Sequence, residues 1–168
     1  MVQQWNEWLG ERMTASRSLS RTVVEQQLRL IIDVLAAMIG PLRRETKAIW
    51  AQVTEHYGRI AAVRGLAAGE VVEEMQYLRE VLIRYLAPSI AAMRPRQGMA
   101  LLLRLNRLVD KGVAMAVVGY TDALVLTLIP GDEPHSNGAP TVDPAEVQHQ
   151  LAVIARGLEA VTGPTHRR

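Results

Sequence analysis

Apolar residues recur at spacings of four and three along nearly every segment of the chain, which is the period of an α-helix. The clearest run places Val24, Leu28, Ile31, Leu35 and Met38 on one helical face. No stretch alternates apolar and polar residues as a half-buried strand would. The sequence therefore predicts an all-α protein, a helical bundle of four to five main helices followed by a linker and a short C-terminal helix.

Glycine and proline divide this pattern into separate helices. Gly40 and Pro41 suit the end of one helix and the start of the next, and Gly65 suits a positive φ after the second helix, with Leu66 folding back on its last turn. Pro88 predicts a kink or an end in the third helix, because proline lacks the N–H donor. The four predicted helices run from about Ser20 or Thr22 to 39, from 42 to 64, from 70 to 87 and from 99 to 128.

A stretch rich in proline, glycine and small polar residues, PGDEPHSNGAPTVDP, predicts a linker after the bundle. The helix that follows carries a narrow apolar stripe with four-three spacing, typical of a two-helix contact. This helix either docks on the bundle or pairs with its copy in a dimer. The predicted organisation is a helical sensory or regulatory domain, a linker, a C-terminal amphipathic helix and a disordered tail, over 1–129, 130–144, 145–162 and 163–168.

Composition limits where the chain works. It has no cysteine, which excludes a disulfide framework and fits a reducing cytoplasm. Its first ten residues, MVQQWNEWLG, lack the apolar run of a signal peptide. The most apolar stretch, 112–130, is short for a bilayer and includes Asp122, so it predicts a buried helix. We expect a cytoplasmic protein that does not enter a membrane.

Charge argues against nucleic acid as a partner. The formal net charge is only +2, and basic and acidic residues are interleaved instead of gathered on one face. The Gly65 corner could suggest a DNA-reading helix-turn-helix, but its second helix opens with AAGEVVEE. Three glutamates there would meet phosphates with the wrong sign. We expect no nucleic-acid binding.

Signatures of catalysis and of metal binding are missing from the sequence. His56, His135, His149 and His166 include no pair at i, i+3 or i+4 that could aim two imidazoles at one ion. A haem held by His56 is disfavoured, because the chain has no Phe to wall it. There is no phosphate-binding glycine loop and no nucleophile elbow. We therefore expect no enzyme activity, no metal and no cofactor.

Charged side chains flank the Gly65 corner and form one candidate site. They constitute either a solvated salt-bridge lattice between antiparallel helices or a polar patch that binds a partner or ligand. The candidates for the patch are His56, Arg59, Arg64, Glu74 and Arg79. A second candidate site is a small-ligand pocket between helices, whose proposed walls are Trp50, Tyr57, Met75, Tyr85 and Met115. The alternative for these residues is that they fill the core.

The same corner resembles a known family. HYGRIAAVRG (56–65) followed by VVEEMQYLREVLIRYL (71–86) is similar to the N-terminal domain of RsbRD-type co-antagonists of RsbT. The resemblance extends to Trp5 or Trp8 and to the segments 23–40 and 101–122, which together cover most of residues 1–128. The matching corner positions are His56, Arg59 or Arg64, Gly65, Glu74, Leu78 and Arg79.

This resemblance implies a helical sensory or regulatory domain of bacterial stress signalling that commonly precedes an output domain. The chain departs from that layout, since only a linker and one helix follow. We expect a non-catalytic domain that binds a protein partner, with a small-ligand-binding bundle as the alternative. We also expect a homodimer formed through the last helix, through the small-residue face of the 99–128 helix (Gly112, Ala114, Ala116 and Gly119), or through both.

Overall fold

Five helices make up most of the part of the chain that the computed structural model describes, which is residues 21–40, 42, 44–128 and 144–163. They are α1 (Arg21–Ile39), α2 (Lys47–Val63), α3 (Ala68–Ala91), α4 (Pro95–Leu128) and α5 (Pro144–Thr162). No strand occurs in these ranges, so the predicted all-α bundle is confirmed. The predicted helix bearing Trp5 and Trp8, the linker up to 143 and the tail from 164 lie outside the described residues.

Helix α2 is the centre of the bundle, because it contacts all four other helices. Its inward face carries the fully buried side chains of Trp50, Val53, Tyr57 and Ile60, as the periodicity predicts. The Trp50 indole N–H donates to the carbonyl oxygen of Leu108 at 3.1 Å, so its one polar atom is satisfied inside the core. The core is therefore organised around α2, with α4 as its main partner.

Two glycines let the backbones of α2 and α4 touch. A Cβ added at Gly58 would lie 1.8 Å from the carbonyl oxygen of Ala116, and one at Gly119 would lie 2.0 Å from that of Glu55. The space beside Gly112 is likewise occupied, by the Trp50 ring. Gly112, Ala116 and Gly119 of α4 thus face α2 of the same chain, whereas Ala114 is exposed. Most of the face predicted to pair two copies is therefore covered within the chain, and the homodimer itself stays a prediction.

The corner between α2 and α3 has the geometry expected from its sequence. Gly65 has a φ of 77°, and the Leu66 N–H donates to the Ala61 carbonyl at 3.1 Å, which is the pattern of a Schellman cap. The Ala67 N–H donates to the Glu70 carboxylate at 2.7 Å at the start of α3. The Tyr120 hydroxyl donates to the Leu66 carbonyl at 2.7 Å and ties α4 to the same corner.

Helix bounds differ from the sequence prediction near prolines. Helix α3 does not end at Pro88 but continues to Ala91, where its residues are exposed and water can reach the carbonyl that Pro88 leaves unpaired. Helix α4 starts at Pro95, a residue that suits the first helical position. Helix α2 starts at Lys47 instead of 42, after a turn in which the Thr46 hydroxyl donates to the Leu42 carbonyl.

Helix α5 packs on α1 and α2 through its apolar stripe. Val147, Leu151, Ile154 and Leu158 are each at most 9% exposed. Of the two alternatives for this helix, docking on the bundle is the one observed, and the stripe is not available to a second copy while α5 stays docked. In the described ranges no helix combines the length and the apolar character needed to cross a membrane.

Candidate functional site

A buried ion pair joins the end of α2 to α3. Arg64, the last residue before the Gly65 turn, donates from Nη2 to Oε1 of Glu74 at 2.9 Å and from Nη1 to Oε2 at 3.1 Å. The Tyr57 hydroxyl, two turns earlier on α2, donates to the same carboxylate. The side chains of Arg64 and Glu74 are 2% and 1% exposed. We call Tyr57, Arg64 and Glu74 the corner clamp.

Burial and charge shift the pKa values of the corner clamp so that its hydrogen-bonded, ion-paired form is favoured. Burial, and then the charge of Glu74, raise the pKa of the Tyr57 hydroxyl well above its ordinary value, so the phenol keeps its proton. Burial alone would lower the pKa of Arg64, but the hydrogen bonds and charge of Glu74 outweigh it and raise that pKa. Because solvent does not reach these side chains, the corner clamp holds two helices together and offers no face to a ligand.

The other charged candidates at the corner lie apart from the clamp. Arg79 forms an ion pair with Asp110 of α4 on the surface. Arg59 pairs with Glu55 one turn earlier on α2, with its side chain 45% exposed. The five residues predicted as one patch therefore divide among a buried clamp, a surface bridge and a third place, which contains His56 and Arg59.

That third place is an open cleft of about 350 Å³ between α2 and α5. Its residues come from one face of α2 and from the flank of the buried stripe of α5. They are Gln52, Glu55, His56, Arg59, His149, Gln150, Val153 and Ile154. His56 and Arg59 share a face because they are three positions apart on a helix. We call this cavity the α2/α5 cleft.

His56 is the most deeply buried polar group of the α2/α5 cleft, at 6% exposure. Neither of its ring nitrogens makes a hydrogen bond of regular geometry among the described residues, but the Gln150 side chain and the Val147 backbone lie near enough to act on the ring as weak hydrogen-bonding partners. Burial and the Arg59 cation lower the pKa of His56 from 6.5 to about 4, and Gln150, Val147 and Glu146 offset this only in part. At neutral pH the ring is uncharged, with one donor and one acceptor that make no regular hydrogen bond.

The lowered pKa of His56 predicts that acid destabilises the fold. The unfolded chain takes up a proton at His56 below pH 6.5, whereas the folded chain resists until about pH 4, so stability falls as the pH drops through this window. We expect the protonation of His56 alone to lower the free energy of unfolding by about 2 kcal/mol between pH 7 and pH 5. Urea unfolding at both pH values checks this in the wild type and in His56→Leu.

The difference between the two proteins isolates the contribution of His56, since other groups titrate in both. His149→Gln is the matched control, because it removes an exposed histidine of the same cleft and keeps the buried His56 ring. An equal loss of stability in His56→Leu and in the wild type would contradict the burial of an uncharged His56.

None of the residues predicted as walls of an interhelical pocket lines the α2/α5 cleft. Trp50, Tyr57 and Met75 are fully buried and fill the core, in line with the alternative raised from the sequence. Met115 is half-buried, and Tyr85 is 65% exposed and faces solvent.

Several lining residues of the α2/α5 cleft were missed from the sequence: Gln52, Glu55, His149, Gln150, Val153 and Ile154. A weak signal exists for the residues of α5, because Gln150 and Val153 are adjacent to stripe positions Leu151 and Ile154. Only the docking of α5 on α2 turns that adjacency into a cavity wall. As for metal chemistry, no three His, Asp or Glu side chains within the described ranges come together in a way that could hold an ion.

Comparison with known proteins gives the chain no relatives: no protein-family model, no curated protein and no solved structure matches it. The resemblance to RsbRD-type N-terminal domains therefore stays a prediction from the residues of the corner and its flanks.

Proposed function

We propose that this chain is a non-catalytic sensory domain of bacterial signal transduction, of the stress-regulator type, in which occupancy of the α2/α5 cleft controls the docking of α5. The observation that carries the proposal is the buried His56, without a regular hydrogen bond, in a cleft with one wall on the bundle and the other on the C-terminal helix. A buried polar group without a partner costs about 1–3 kcal/mol. A ligand that supplies the missing hydrogen bonds recovers part of that cost.

Because the cleft lies between the bundle and α5, a ligand bound there can affect the docking of α5. A molecule that touches both walls binds only when α5 is docked, so it stabilises the docked state according to its concentration and affinity. Helix α5 is the last described element of the chain, and a partner or output module would read whether it is docked. The signalling role rests on the family resemblance, the cytoplasmic location rests on composition, and both belong to the same proposal.

The test combines a ligand screen with a local measurement on α5. Thermal shifts against metabolites and tetrapyrroles identify compounds that raise the melting temperature. Hydrogen exchange of residues 144–162 then shows whether a hit slows the opening of α5 more than that of α3. We expect both effects to disappear in Val153→Trp, which fills the rim of the cleft from an exposed position.

Val125→Trp is the matched control, because Val125 is equally exposed but lies on α4, away from the cleft. A hit that acts on Val153→Trp as well as on the wild type binds elsewhere and contradicts the proposal. So does a hit that stabilises the bundle without slowing exchange in α5.

A second candidate function is a homodimeric protein-interaction module, and one surface favours it. Met99, Leu103, Val118 and Val125 lie on one face of α4 and are each 46% to 57% exposed. Of the two surfaces expected from the sequence, the stripe of α5 and most of the small-residue face of α4 are covered within the chain, whereas Ala114 is exposed. The four apolar residues lie towards the two ends of their face, with the exposed Arg107 and Lys111 between them. Exposed apolar residues that share a face are typical of protein contacts.

For this second candidate we expect a dimer that depends on the exposed face of α4. Leu103→Glu combined with Val118→Glu would place two negative charges in the contact and shift the mass to that of a monomer without loss of helicity. Size-exclusion chromatography with light scattering measures the mass, and circular dichroism measures the helicity. A wild-type protein that stays monomeric at high concentration would contradict the proposed homodimer.

A further inference from the structure

The α2/α5 cleft carries an unused set of hydrogen-bonding groups that selects a class of ligand. Neither ring nitrogen of His56 makes a hydrogen bond of regular geometry, although Gln150 and Val147 lie near the ring. Arg59 donates from Nη2 to Glu55 and has further N–H groups for a ligand. His149 and Gln150 stand on the opposite wall, where the Gln150 amide already donates one N–H to Glu146. Donors therefore outnumber free acceptors, which favours a ligand group that accepts several hydrogen bonds.

Charge points in the same direction. Of the two charged residues that act on the His56 ring, Arg59 has a larger effect on its pKa than Glu146. Glu55, the acid that lines the cleft, is paired with Arg59 through one of its two oxygens. A cationic ligand would be repelled by Arg59 and would have to compete with it for Glu55. A metal ion would find no group of three ligands among the described residues.

The cleft also has an apolar part. Val153 and Ile154 line it on the α5 side, where an inorganic anion such as phosphate would leave them without a contact. A volume of about 350 Å³ lies at the lower end of the range for small-molecule sites, so it suits an aromatic or short aliphatic body. The ligand thus combines one acceptor-rich anionic group with a modest apolar surface.

We propose that the α2/α5 cleft binds a small organic carboxylate, whose carboxylate accepts hydrogen bonds from His56 and Arg59 and whose apolar body packs on Val153 and Ile154. The inference rests on the proposed function in using the same cleft, and it adds the chemistry of the signal. Hydrogen bonds from charged donors to a carboxylate are stronger than those between neutral groups, so the anionic form is the one recognised.

The experiment compares benzoate with benzamide, which has nearly the same shape but no charge. Isothermal titration calorimetry on the full chain is expected to give a Kd at least ten-fold lower for benzoate. Arg59→Gln should weaken the binding of benzoate at least ten-fold and leave the binding of benzamide nearly unchanged. Arg59 is exposed, so this variant is expected to fold. Val153→Trp should block both compounds.

His56→Leu tests the buried end of the site, and its melting temperature shows whether it folds. If it does not, Arg59→Gln and the pH dependence decide. A bound carboxylate favours the protonated ring, so benzoate should bind more tightly as the pH falls from 7 towards 5.5, while benzamide should not. Arg59 and Glu146 are the charged groups that act on the ring, and Glu55 and His149 are the other ionisable groups that line the cleft.

Each outcome separates the ligand class from the sensory role. Equal affinity for benzoate and benzamide, or benzoate binding unaffected by Arg59→Gln, overturns the carboxylate assignment. If neither probe binds but a different compound slows exchange in α5, the ligand class is wrong and the proposed function stands. If benzoate binds with the expected charge dependence but exchange in α5 does not change, the ligand class stands and the sensory function fails.

Discussion

Gly58→Ala is expected to destabilise the protein by at least about 3 kcal/mol, because the new Cβ has no room. It would lie 1.8 Å from the Ala116 carbonyl oxygen, well inside contact distance, and that atom belongs to the backbone of α4. A side chain could rotate away, but a helix backbone can only be displaced as a unit. The loss is a large share of the roughly 5–15 kcal/mol that stabilises a typical domain. Urea titration followed by circular dichroism measures it.

Gly119→Ala tests the same contact from the opposite helix, since its Cβ would lie 2.0 Å from the Glu55 carbonyl oxygen. The matched control is Gly157→Ala in α5, where nothing lies within 4 Å of the new atom. There alanine should stabilise the helix by up to about 1 kcal/mol through its higher helix propensity. A small effect at both Gly58 and Gly119 would show that α2 and α4 do not approach so closely.

This contact marks how far the sequence could predict the fold. Periodicity indicated that Trp50, Tyr57 and Met75 could fill the core, and it grouped Gly112, Ala114, Ala116 and Gly119 as a face for close approach, because helical spacing is a local property. It could not say which helix would occupy that face. For Gly112 and Gly119 the partner is α2 of the same chain, since pairing between helices depends on the path of the whole chain.

The candidate site was predicted less well for the same reason. His56 and Arg59 were identified as candidates from the corner, but the residues that complete their cleft come from α5. Tyr57 was assigned to a pocket and Glu74 to a surface patch, although both belong to one buried clamp. The sequence alone does not distinguish a solvated charged residue near a turn from a buried one. Only packing distinguishes Arg64, which is buried, from Arg79, which is paired at the surface.

Removing one member of the corner clamp is expected to cost about 3–5 kcal/mol, because the remaining charge stays buried without its partner. Glu74→Gln leaves the Arg64 guanidinium uncompensated, and Arg64→Met leaves the carboxylate uncompensated. Both substitutions keep most of the side-chain volume, so the loss reports charge and not a cavity. Urea unfolding of each variant gives the cost. Arg79→Ala is the control, since its exposed pair with Asp110 should contribute at most about 1 kcal/mol.

The double variant Arg64→Met with Glu74→Met decides whether the clamp acts as a unit. It removes both charges at once, so no ion is left buried. Its loss of free energy of unfolding should therefore be smaller than the sum of the two single losses by at least about 2 kcal/mol. The Tyr57 hydroxyl then loses its acceptor, a cost of about 1–3 kcal/mol that Tyr57→Phe in the same background should recover. Additive single costs would mean that the two residues are not coupled. A coupled clamp would fix the end of α2, one of the two helices on which α5 docks, against α3.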